Sequence, residues 1–415
     1  MMRARLAKSR RILLISNNFP PTLGGSAVVY ANLARHLGDQ IIVLAPRRSY
    51  NDGLLLIGWR EHDRAANYRV VRRNLLRTRL RLLPVGAWRR QVFRAEDLVI
   101  RLRLSLTILW LVLTEDVRTI CIGELLASSW VLTLVRLIPP LRSVVYVHGE
   151  EITTEDGYDV AHRRARAALL AADGVVVVSR FTLAAVQTLL GAAAPSKHIR
   201  LIENGVDTAR FVPMRRRADL VELYGLAGQS VFVSVCRLLE KKGIDNAIRA
   251  FCQILPHHPH SRYLIVGSGP YEPSLRDLVA QLGVVAEVIF VGQVTDEDLV
   301  AHYCLGDVFV MPNRELPDGD TEGFGLVFLE ANSCGLPVIA GRDGGSRDAV
   351  HDGINGLVVD GTSVAAIVAS MRALLEDRAL YARLQHGATE VSRKADWREK
   401  AAAFVQTCVS LFAGR

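Results

Sequence analysis

Two glutamates eight positions apart, Glu322 and Glu330, flank a glycine-rich turn in the stretch DGDTEGFGLVFLEANSCGLPVIA, residues 318–340. The residues after Gly325 are typical of a helix, and the unpaired amides at a helix start suit a phosphate. A carboxylate inside that helix can accept two ribose hydroxyls, and one ahead of the glycines can hold sugar hydroxyls. Gly323 and Gly325 allow backbone to approach a ligand closely. Alternatively, Glu322 complements the helix dipole and Glu330 is a solvated helix residue.

Two basic residues follow a strand-like run and offer positive charge for a diphosphate. Arg237 comes directly after residues 231–236, and Lys242 precedes Gly243 at the start of the next predicted helix. In open α/β sheets, ligands bind beyond the carboxyl ends of the strands, which is where these residues stand. There they would neutralise negative charge that develops on departing phosphates. The alternative is that both side chains point into solvent, the commoner fate of Arg and Lys.

Three further side chains could take part in chemistry. His148 stands between the strand-like residues 143–147 and Gly149, although a histidine at a strand end is by itself more often structural than catalytic. Asp318 and Asp320 resemble a metal-binding DxD pair. Because the basic residues already balance the phosphate charge, we expect no metal at this position.

Short β-branched runs alternate with longer helix-like segments along the chain. Runs that are apolar on both faces are typical of parallel strands covered by helices. The alternation predicts an α/β protein with doubly wound parallel sheets, and two similar strand–loop–helix beginnings predict two such domains. The predicted strands are residues 12–16, 41–45, 143–147, 174–179, 198–202, 231–236, 263–266, 288–291, 308–311, 337–340 and 356–359.

The length of 415 residues suits two domains of roughly 200 residues each. With 50% hydrophobic and 22% charged residues, the composition is that of a globular protein and excludes a disordered chain. We place an N-terminal domain at 1–208 and a C-terminal domain at 209–394. A helix within 395–415 would pack back on the N-terminal domain.

Charge is distributed unevenly between the two halves. Residues 1–210 carry 31 Lys and Arg against 17 Asp and Glu, a net charge of +14, whereas the remainder carries 20 against 25, a net charge of −5. A positive first half predicts an anionic partner for that half alone. Eleven arginines lie within residues 69–103 among leucines, a mix that suits an interfacial helix on anionic lipid. An ordinary solvated face is the alternative, and no nucleic-acid-binding module accompanies the charge.

Cysteine usage and apolar run lengths bear on location. None of the six cysteines forms a CxxC pair, and most have apolar neighbours, which favours reduced, buried thiols in a cytosolic protein. The longest apolar run, residues 104–113, is about half of what a membrane span needs. We therefore expect a cytoplasmic protein, peripheral on the inner face of the cytoplasmic membrane if the basic segment binds lipid.

Several motifs together resemble a known family. The stretches RLLEKKG, LIVGSGP, FVGQV, EGFGLVFLEANSCGLPVIA and GGSRDAVHDGINGLVV resemble the C-terminal domain of glycosyltransferase family 4, which has the GT-B fold. The stretches FPPTLGGSAVVYANLARHL, HGEE and ENGVD resemble its N-terminal domain. The similarity covers most of the chain apart from about residues 50–117. Within the family, DGDTEGFGLVFLEA is most similar to phosphatidylinositol mannosyltransferases that use GDP-mannose.

This resemblance implies two Rossmann-like domains facing across a cleft. It also implies a metal-independent, retaining transfer of a hexose, such as mannose from GDP-mannose, to a lipid-linked or glycan acceptor. The nucleotide sugar is then a substrate, and no cofactor is expected. Two alternatives stay open: a non-catalytic GT-B binding or scaffold protein, and a nucleotide-sugar epimerase.

The resemblance also implies roles for individual residues. His148, Arg237, Lys242 and Glu322 would form the catalytic set. The residues expected to bind the donor are Gly24, Gly25, Arg237, Lys242, Gln293, Val294, Glu322, Gly323, Phe324, Gly325, Leu326 and Glu330.

Overall fold

Two parallel β-sheets organise the chain, each flanked by helices. The computed structural model describes residues 11–22, 24–78, 87–154 and 159–412, with only the backbone for 87–90. The strands of the first sheet are β1 Arg11–Ile15, β2 Ile41–Pro46, β3 Arg69–Arg73, β4 Val117–Ile122, β5 Arg142–Val147, β6 Gly174–Val177 and β7 His198–Leu201. Those of the second are β8 Ser230–Val235, β9 Ser261–Val266, β10 Val288–Gly292, β11 Val308–Met311, β12 Val338–Gly341 and β13 Gly356–Val359.

The order of the strands identifies both sheets as doubly wound. The first runs β3-β2-β1-β4-β5-β6-β7 and the second β10-β9-β8-β11-β12-β13. In each sheet, strands are added first on one side of the starting strand, β1 or β8, and then on its other side, so the strand order reverses there. The paired strands are parallel in both sheets. The predicted α/β class and the two Rossmann-like sheets are confirmed. Such sheets bind ligands beyond the carboxyl ends of the strands at this reversal point.

Helices cover both faces of each sheet. In the first half they are α1 Gly25–Leu37, α2 Trp59–Ala65, α3 Ala87–Thr114, α4 Leu125–Ser128, α5 Val131–Arg136, α6 Glu150–Thr153, α7 Arg163–Ala171 and α8 Arg180–Leu190. In the second they are α9 Ala218–Leu223, α10 Ile244–Ile254, α11 Glu272–Leu282, α12 Asp296–Tyr303, α13 Leu326–Ser333, α14 Ser346–Ala349, α15 Val364–Glu376, α16 Arg378–Lys394 and α17 Trp397–Ser410. Among the described residues, none of these helices is long and apolar enough to cross a bilayer.

The C-terminal helix α17 lies against the first sheet rather than the second. It contacts α1, and the ring of Phe404 packs on Tyr146 of β5 at 5.9 Å. Trp397 and Phe404 are both almost fully buried. The predicted domain limits at 208 and 394 stay predictions, while this packing agrees with a terminal helix that returns to the N-terminal domain.

The structure overturns part of the interfacial-helix prediction for residues 69–103. Arg69–Arg73 form the edge strand β3, because they continue the parallel ladder of β2. Arg72 is only 4% exposed, and its guanidinium donates to Asp63 at 2.7 and 3.0 Å and to the Pro20 carbonyl at 2.6 Å. A buried arginine paired in this way cannot contact lipid. Residues 79–86 lie outside the described residues.

Candidate functional site

A largely buried ion pair stands at the carboxyl edge of the second sheet. Lys242 ends the short 3-10 turn Glu240–Lys242, and its ammonium pairs with the Glu322 carboxylate; each side chain is 14% exposed. Burial opposes charge on both groups, but the attraction between them prevails. The pKa of Lys242 is therefore raised and that of Glu322 lowered. Both predicted catalytic residues are thus charged and in contact before a ligand arrives.

The neighbouring Lys241 is a positioning residue that the sequence did not single out. Its ammonium donates to Asp320 at 2.6 Å and to the Thr321 carbonyl at 3.2 Å, which ties the DGD loop to the turn that carries Lys242. Asp320, one of the DxD pair, is therefore held in an ion pair. Across the described ranges, no group of three or more His, Cys, Asp or Glu residues is arranged to hold a metal ion.

Arg237 stands two residues after the end of β8 and is exposed. Within the part of the chain that the structure describes, its guanidinium has no protein partner, so it is available to an anion. Burial raises the pKa of Tyr50, a residue of the first domain, and the positive charges of Arg77 and Arg237 oppose that rise. The Arg77 guanidinium lies 4.9 Å from the centroid of the Tyr50 ring. Arg237 is therefore an exposed cation of the second domain whose charge influences Tyr50 of the first.

The glycine turn brings the two domains into contact. A Cβ on Gly323 would lie 2.1 Å from the carbonyl oxygen of His148, so only glycine allows the backbones to approach this closely. Gly325 caps α13 with a φ of 87°, a conformation that favours glycine. Phe324 is buried, and Leu326 begins α13. The amide end of α13 therefore lies beside the end of β5.

His148 is held by two tyrosines. Its Nε2 lies 2.7 Å from the Tyr30 hydroxyl, and its ring stacks on Tyr146 at 5.3 Å. The Tyr30 hydroxyl donates its single proton to the Gly123 carbonyl at 2.5 Å, so the imidazole must be the donor at Nε2. Burial lowers the pKa of His148 to about 4. The ring is therefore neutral at physiological pH, and its Nδ1 carries a lone pair that can accept a hydrogen bond.

Glu330 lies a turn and a half into α13 and is half-buried rather than solvated. Its Oε2 accepts a hydrogen bond of 2.7 Å from the hydroxyl of Tyr303, the last residue of α12. Burial raises the pKa of Glu330 above its usual value, and the Tyr303 hydrogen bond opposes that rise. The interpretation of Glu330 as a surface residue is wrong, because the sequence could not show that Tyr303 packs beneath it.

The remaining predicted donor-binding residues line two other loops. Gly24 precedes α1 with a φ of 153°, and a Cβ on Gly24 or Gly25 would meet nothing within 4 Å. This open space leaves the amide end of α1 accessible. Gln293 is exposed and Val294 half-buried, directly after the edge strand β10. Roles for these four residues stay predictions.

Two half-buried carboxylates organise the loops on the first domain. Glu124 accepts from the Asn17 amide at 2.8 Å, the Asn18 amide at 3.0 Å and the Ser16 hydroxyl at 2.7 Å. Glu151 accepts from the amides of His148 and Gly149 at 2.8 and 3.1 Å, and burial raises its pKa to about 7. An acid placed at the end of a strand was the only sequence signal for these anchoring roles.

Comparison with known proteins identifies the family. Residues 23–210 match the family model "Glycosyltransferase Family 4", and residues 224–391 match "Glycosyl transferases group 1". A GDP-mannose-dependent alpha-(1-6)-phosphatidylinositol monomannoside mannosyltransferase of Mycolicibacterium smegmatis is 34% identical over 88% of this chain and 89% of its own. A GDP-mannose-dependent monoacylated alpha-(1-6)-phosphatidylinositol monomannoside mannosyltransferase of Corynebacterium glutamicum is 26% identical over 90% of each chain.

Solved structures agree on the fold. HepE from Anabaena, in complex with UDP, superposes with a TM-score of 0.76 at 19% identity, over 96% of this chain and 100% of that one. Sucrose-phosphate synthase from Thermosynechococcus elongatus gives a TM-score of 0.74 at 23% identity, over 98% and 100%. With two doubly wound domains meeting at a shared cleft, this chain belongs to glycosyltransferase family 4 and is a glycosyltransferase of the GT-B fold.

Proposed function

We propose that this protein transfers mannose from GDP-mannose to a phosphatidylinositol-type lipid acceptor, with retention of anomeric configuration and without a metal ion. The donor and acceptor classes are those named for the mycobacterial and corynebacterial relatives. The observation that carries the proposal is the convergence of charge at one place. The Lys242–Glu322 pair and the amide end of α13 lie beside His148 of the other domain, and Arg237 is exposed just past the carboxyl end of β8 in the same sheet.

In this proposal, each residue has a distinct task. Arg237 and Lys242 neutralise the diphosphate as its bond to the sugar C1 breaks, and the amides of α13 bind the phosphate next to the sugar. Glu322 orients sugar hydroxyls, and the Nδ1 lone pair of His148 accepts a hydrogen bond from another. Glu330 binds the ribose.

The transfer step needs little acid–base work from side chains. The acceptor oxygen attacks C1 from the face that the diphosphate leaves, so the C1–O bond to phosphate breaks as the C1–O bond to acceptor forms. The acceptor hydroxyl proton passes to the departing phosphate oxygen, which yields GDP. Positioning and electrostatic stabilisation then supply the rate enhancement, and the two cations take the place that a divalent metal occupies in other nucleotide-sugar enzymes.

A direct assay tests the proposal. GDP-mannose, UDP-glucose and ADP-glucose are each incubated with the protein, with and without phosphatidylinositol mannoside, and nucleotide release is measured in the presence of EDTA. We expect release from GDP-mannose only when the lipid is present, and an α-linked product by NMR. Conversion of the donor without acceptor would favour the epimerase alternative. Loss of release in EDTA, restored by a divalent cation, would contradict metal independence.

Helix α3 supplies a surface suited to a membrane. Its buried face packs Leu104, Ile108 and Leu111 into the first domain. Away from that face the helix exposes apolar side chains at helical spacing, together with Arg94 and Arg103. The exposed apolar residues of the helix are Val92, Leu98, Val99, Leu102, Leu106, Trp110 and Leu113. We propose that this exposed α3 face docks on anionic lipid and brings the cleft to a lipid acceptor.

Vesicle flotation tests the docking face. The parent should float with vesicles that contain phosphatidylinositol and remain below with phosphatidylcholine alone. Replacing both exposed arginines with glutamine should weaken binding by about 30-fold, since each basic residue at an anionic surface contributes about 1 kcal/mol. Leu102→Ser with Leu106→Ser should also weaken flotation, whereas Gln91→Ser, an exposed polar control, should not. Equal recovery of all variants would refute this surface.

A further inference from the structure

Tyr303 is a buried tyrosine whose hydroxyl contacts the carboxylate of Glu330 in the proposed nucleotide site. Its side chain is fully buried, and its ring packs between Phe211 at 5.9 Å and Phe309 at 5.9 Å. From there its hydroxyl donates to Oε2 of Glu330 at 2.7 Å. The tyrosine belongs to α12 and the glutamate to α13, so the hydrogen bond links two neighbouring helices.

The direction of this hydrogen bond is fixed. Burial and the nearby Glu330 carboxylate raise the pKa of Tyr303 well above its usual value, so the phenol keeps its proton and is the donor. Oε2 of Glu330 is thereby committed to the protein. Among the described residues, no donor reaches Oε1, which leaves this oxygen able to accept a hydrogen bond from a ligand. Holding the long glutamate side chain in one orientation also removes entropy that a ligand would otherwise have to overcome.

The other groups near Glu330 act at a distance. Arg210 lowers the pKa of the carboxyl and Asp296 raises it, while the carboxylate itself acts on the Cys334 thiol. Arg210 is already engaged, because it donates to the Asp296 carbonyl at 2.6 Å and lies 3.5 Å from its carboxylate. Tyr303 is the group whose hydrogen bond orients the Glu330 carboxylate.

We propose that Tyr303 is a positioning residue for the ribose of the donor nucleotide: it orients the Glu330 carboxylate so that Oε1 accepts a hydrogen bond from a ribose hydroxyl. This inference rests on the proposed function, in which Glu330 binds the ribose. It assigns the recognition of ribose to a tyrosine–glutamate pair rather than to the glutamate alone.

Nucleotide titration tests the pair without an acceptor. GDP, 2′-deoxy-GDP and 3′-deoxy-GDP are titrated by calorimetry into the parent, Tyr303→Phe, Glu330→Gln and Tyr224→Phe. Tyr224 is the matched control, since its hydroxyl contacts His302 of the same helix at 3.1 Å and does not touch Glu330. We expect Tyr303→Phe to weaken GDP about tenfold, the scale for a hydrogen bond to a charged group, and Tyr224→Phe to have little effect.

The deoxynucleotides separate positioning from a general loss of structure. Tyr303→Phe and removal of a ribose hydroxyl each reduce the binding free energy. For one of the two deoxynucleotides, the combined reduction should be smaller than the sum of the two separate ones, because both changes remove the same interaction. The acid limb of GDP affinity should also move to higher pH in Tyr303→Phe, since the Glu330 carboxyl loses the hydrogen bond that lowers its pKa. A merely structural role would lower the unfolding temperature and leave that limb in place.

The outcomes distinguish the inference from the proposed function. The positioning role is refuted if Tyr303→Phe binds GDP as the parent does. It is also refuted if the loss of binding free energy from Tyr303→Phe adds fully to the loss from the missing hydroxyl for both deoxynucleotides. If Glu330→Gln binds GDP as the parent does, the ribose assignment in the proposed function fails instead. UDP serves as a second probe because it carries the same ribose. If the parent bound neither GDP nor UDP, the positioning role and the proposed function would both be refuted.

Discussion

Removing either member of the Lys242–Glu322 pair should destabilise the protein. Both side chains are 14% exposed, so Lys242→Met leaves a largely buried, unpaired carboxylate and Glu322→Gln leaves an unpaired ammonium. Breaking a buried pair costs about 3–5 kcal/mol, and the residual exposure places this site near 3 kcal/mol. For a domain of this size, that loss lowers the unfolding temperature by about 6–12 °C.

The double variant tests whether the two losses share one cause. Lys242→Met with Glu322→Gln removes both charges, so its unfolding free energy should fall by little more than that of one single variant. Denaturant unfolding of the four proteins gives the interaction energy. Catalysis should behave differently: Lys242→Met is expected to lower kcat by about 10²–10³, and the double variant should not recover it, because a cation is still missing at the diphosphate.

Three results would refute this reasoning. Strictly additive losses of stability would mean that the two charges do not interact in solution. Transfer at the parent rate by Lys242→Met would mean that this ammonium does not neutralise the leaving diphosphate. Recovery of activity in the double variant would likewise contradict a direct role, because it would trace the single variant's loss to the unpaired carboxylate.

The pair also predicts a broad pH plateau of stability. The pKa of Glu322 is lowered from 4.5, so its contribution is fully present above that value and is lost as pH falls through the folded-state pKa. The pKa of Lys242 is raised from 10.5, so its contribution is fully present below that value and is lost as pH rises through the folded-state pKa. The difference in unfolding free energy between the parent and the double variant should therefore be constant from about pH 5 to 10. A steep change near neutrality would contradict this assignment.

Three further substitutions probe the cleft. Gly323→Ala should abolish transfer, because the new Cβ would lie 2.1 Å from the His148 carbonyl oxygen; parent-like activity would exclude the close approach. In Gly25→Ala the new Cβ would meet nothing within 4 Å, so we expect unchanged thermal stability but a raised KM for the donor. An unchanged KM would mean that the diphosphate binds elsewhere. Asp348→Asn should weaken the contact between domains, where the carboxylate accepts from the Arg180 amide at 2.6 Å at the start of α8. A loss of about 1 kcal/mol in unfolding free energy is expected, as for other helix caps.

The local features of this protein followed from its sequence. Strands such as β8 and β11 were predicted because β-branched runs that are apolar on both faces have few alternatives to a buried parallel strand. The positions of Arg237 after a strand and of Glu322 and Glu330 around a helix start were predicted, because strand ends and helix starts are recognisable from adjacent residues. The strand β3 was missed because arginines interrupt its apolar pattern, and only its pairing with β2 and the burial of Arg72 against Asp63 make it a strand.

Which partners the site residues take was decided by the tertiary structure alone. Lys242 and Glu322 are 80 positions apart, Tyr303 and Glu330 are 27 apart, and Tyr30 and His148 are 118 apart. Lys241 and Lys242 are adjacent in the sequence, yet the first pairs with Asp320 and the second with Glu322. Hydrophobic periodicity specifies each strand and helix separately, because it depends on neighbours a few residues away. Contacts between their ends depend on the order of strands in the sheets and on how the two domains meet, which only the folded chain determines.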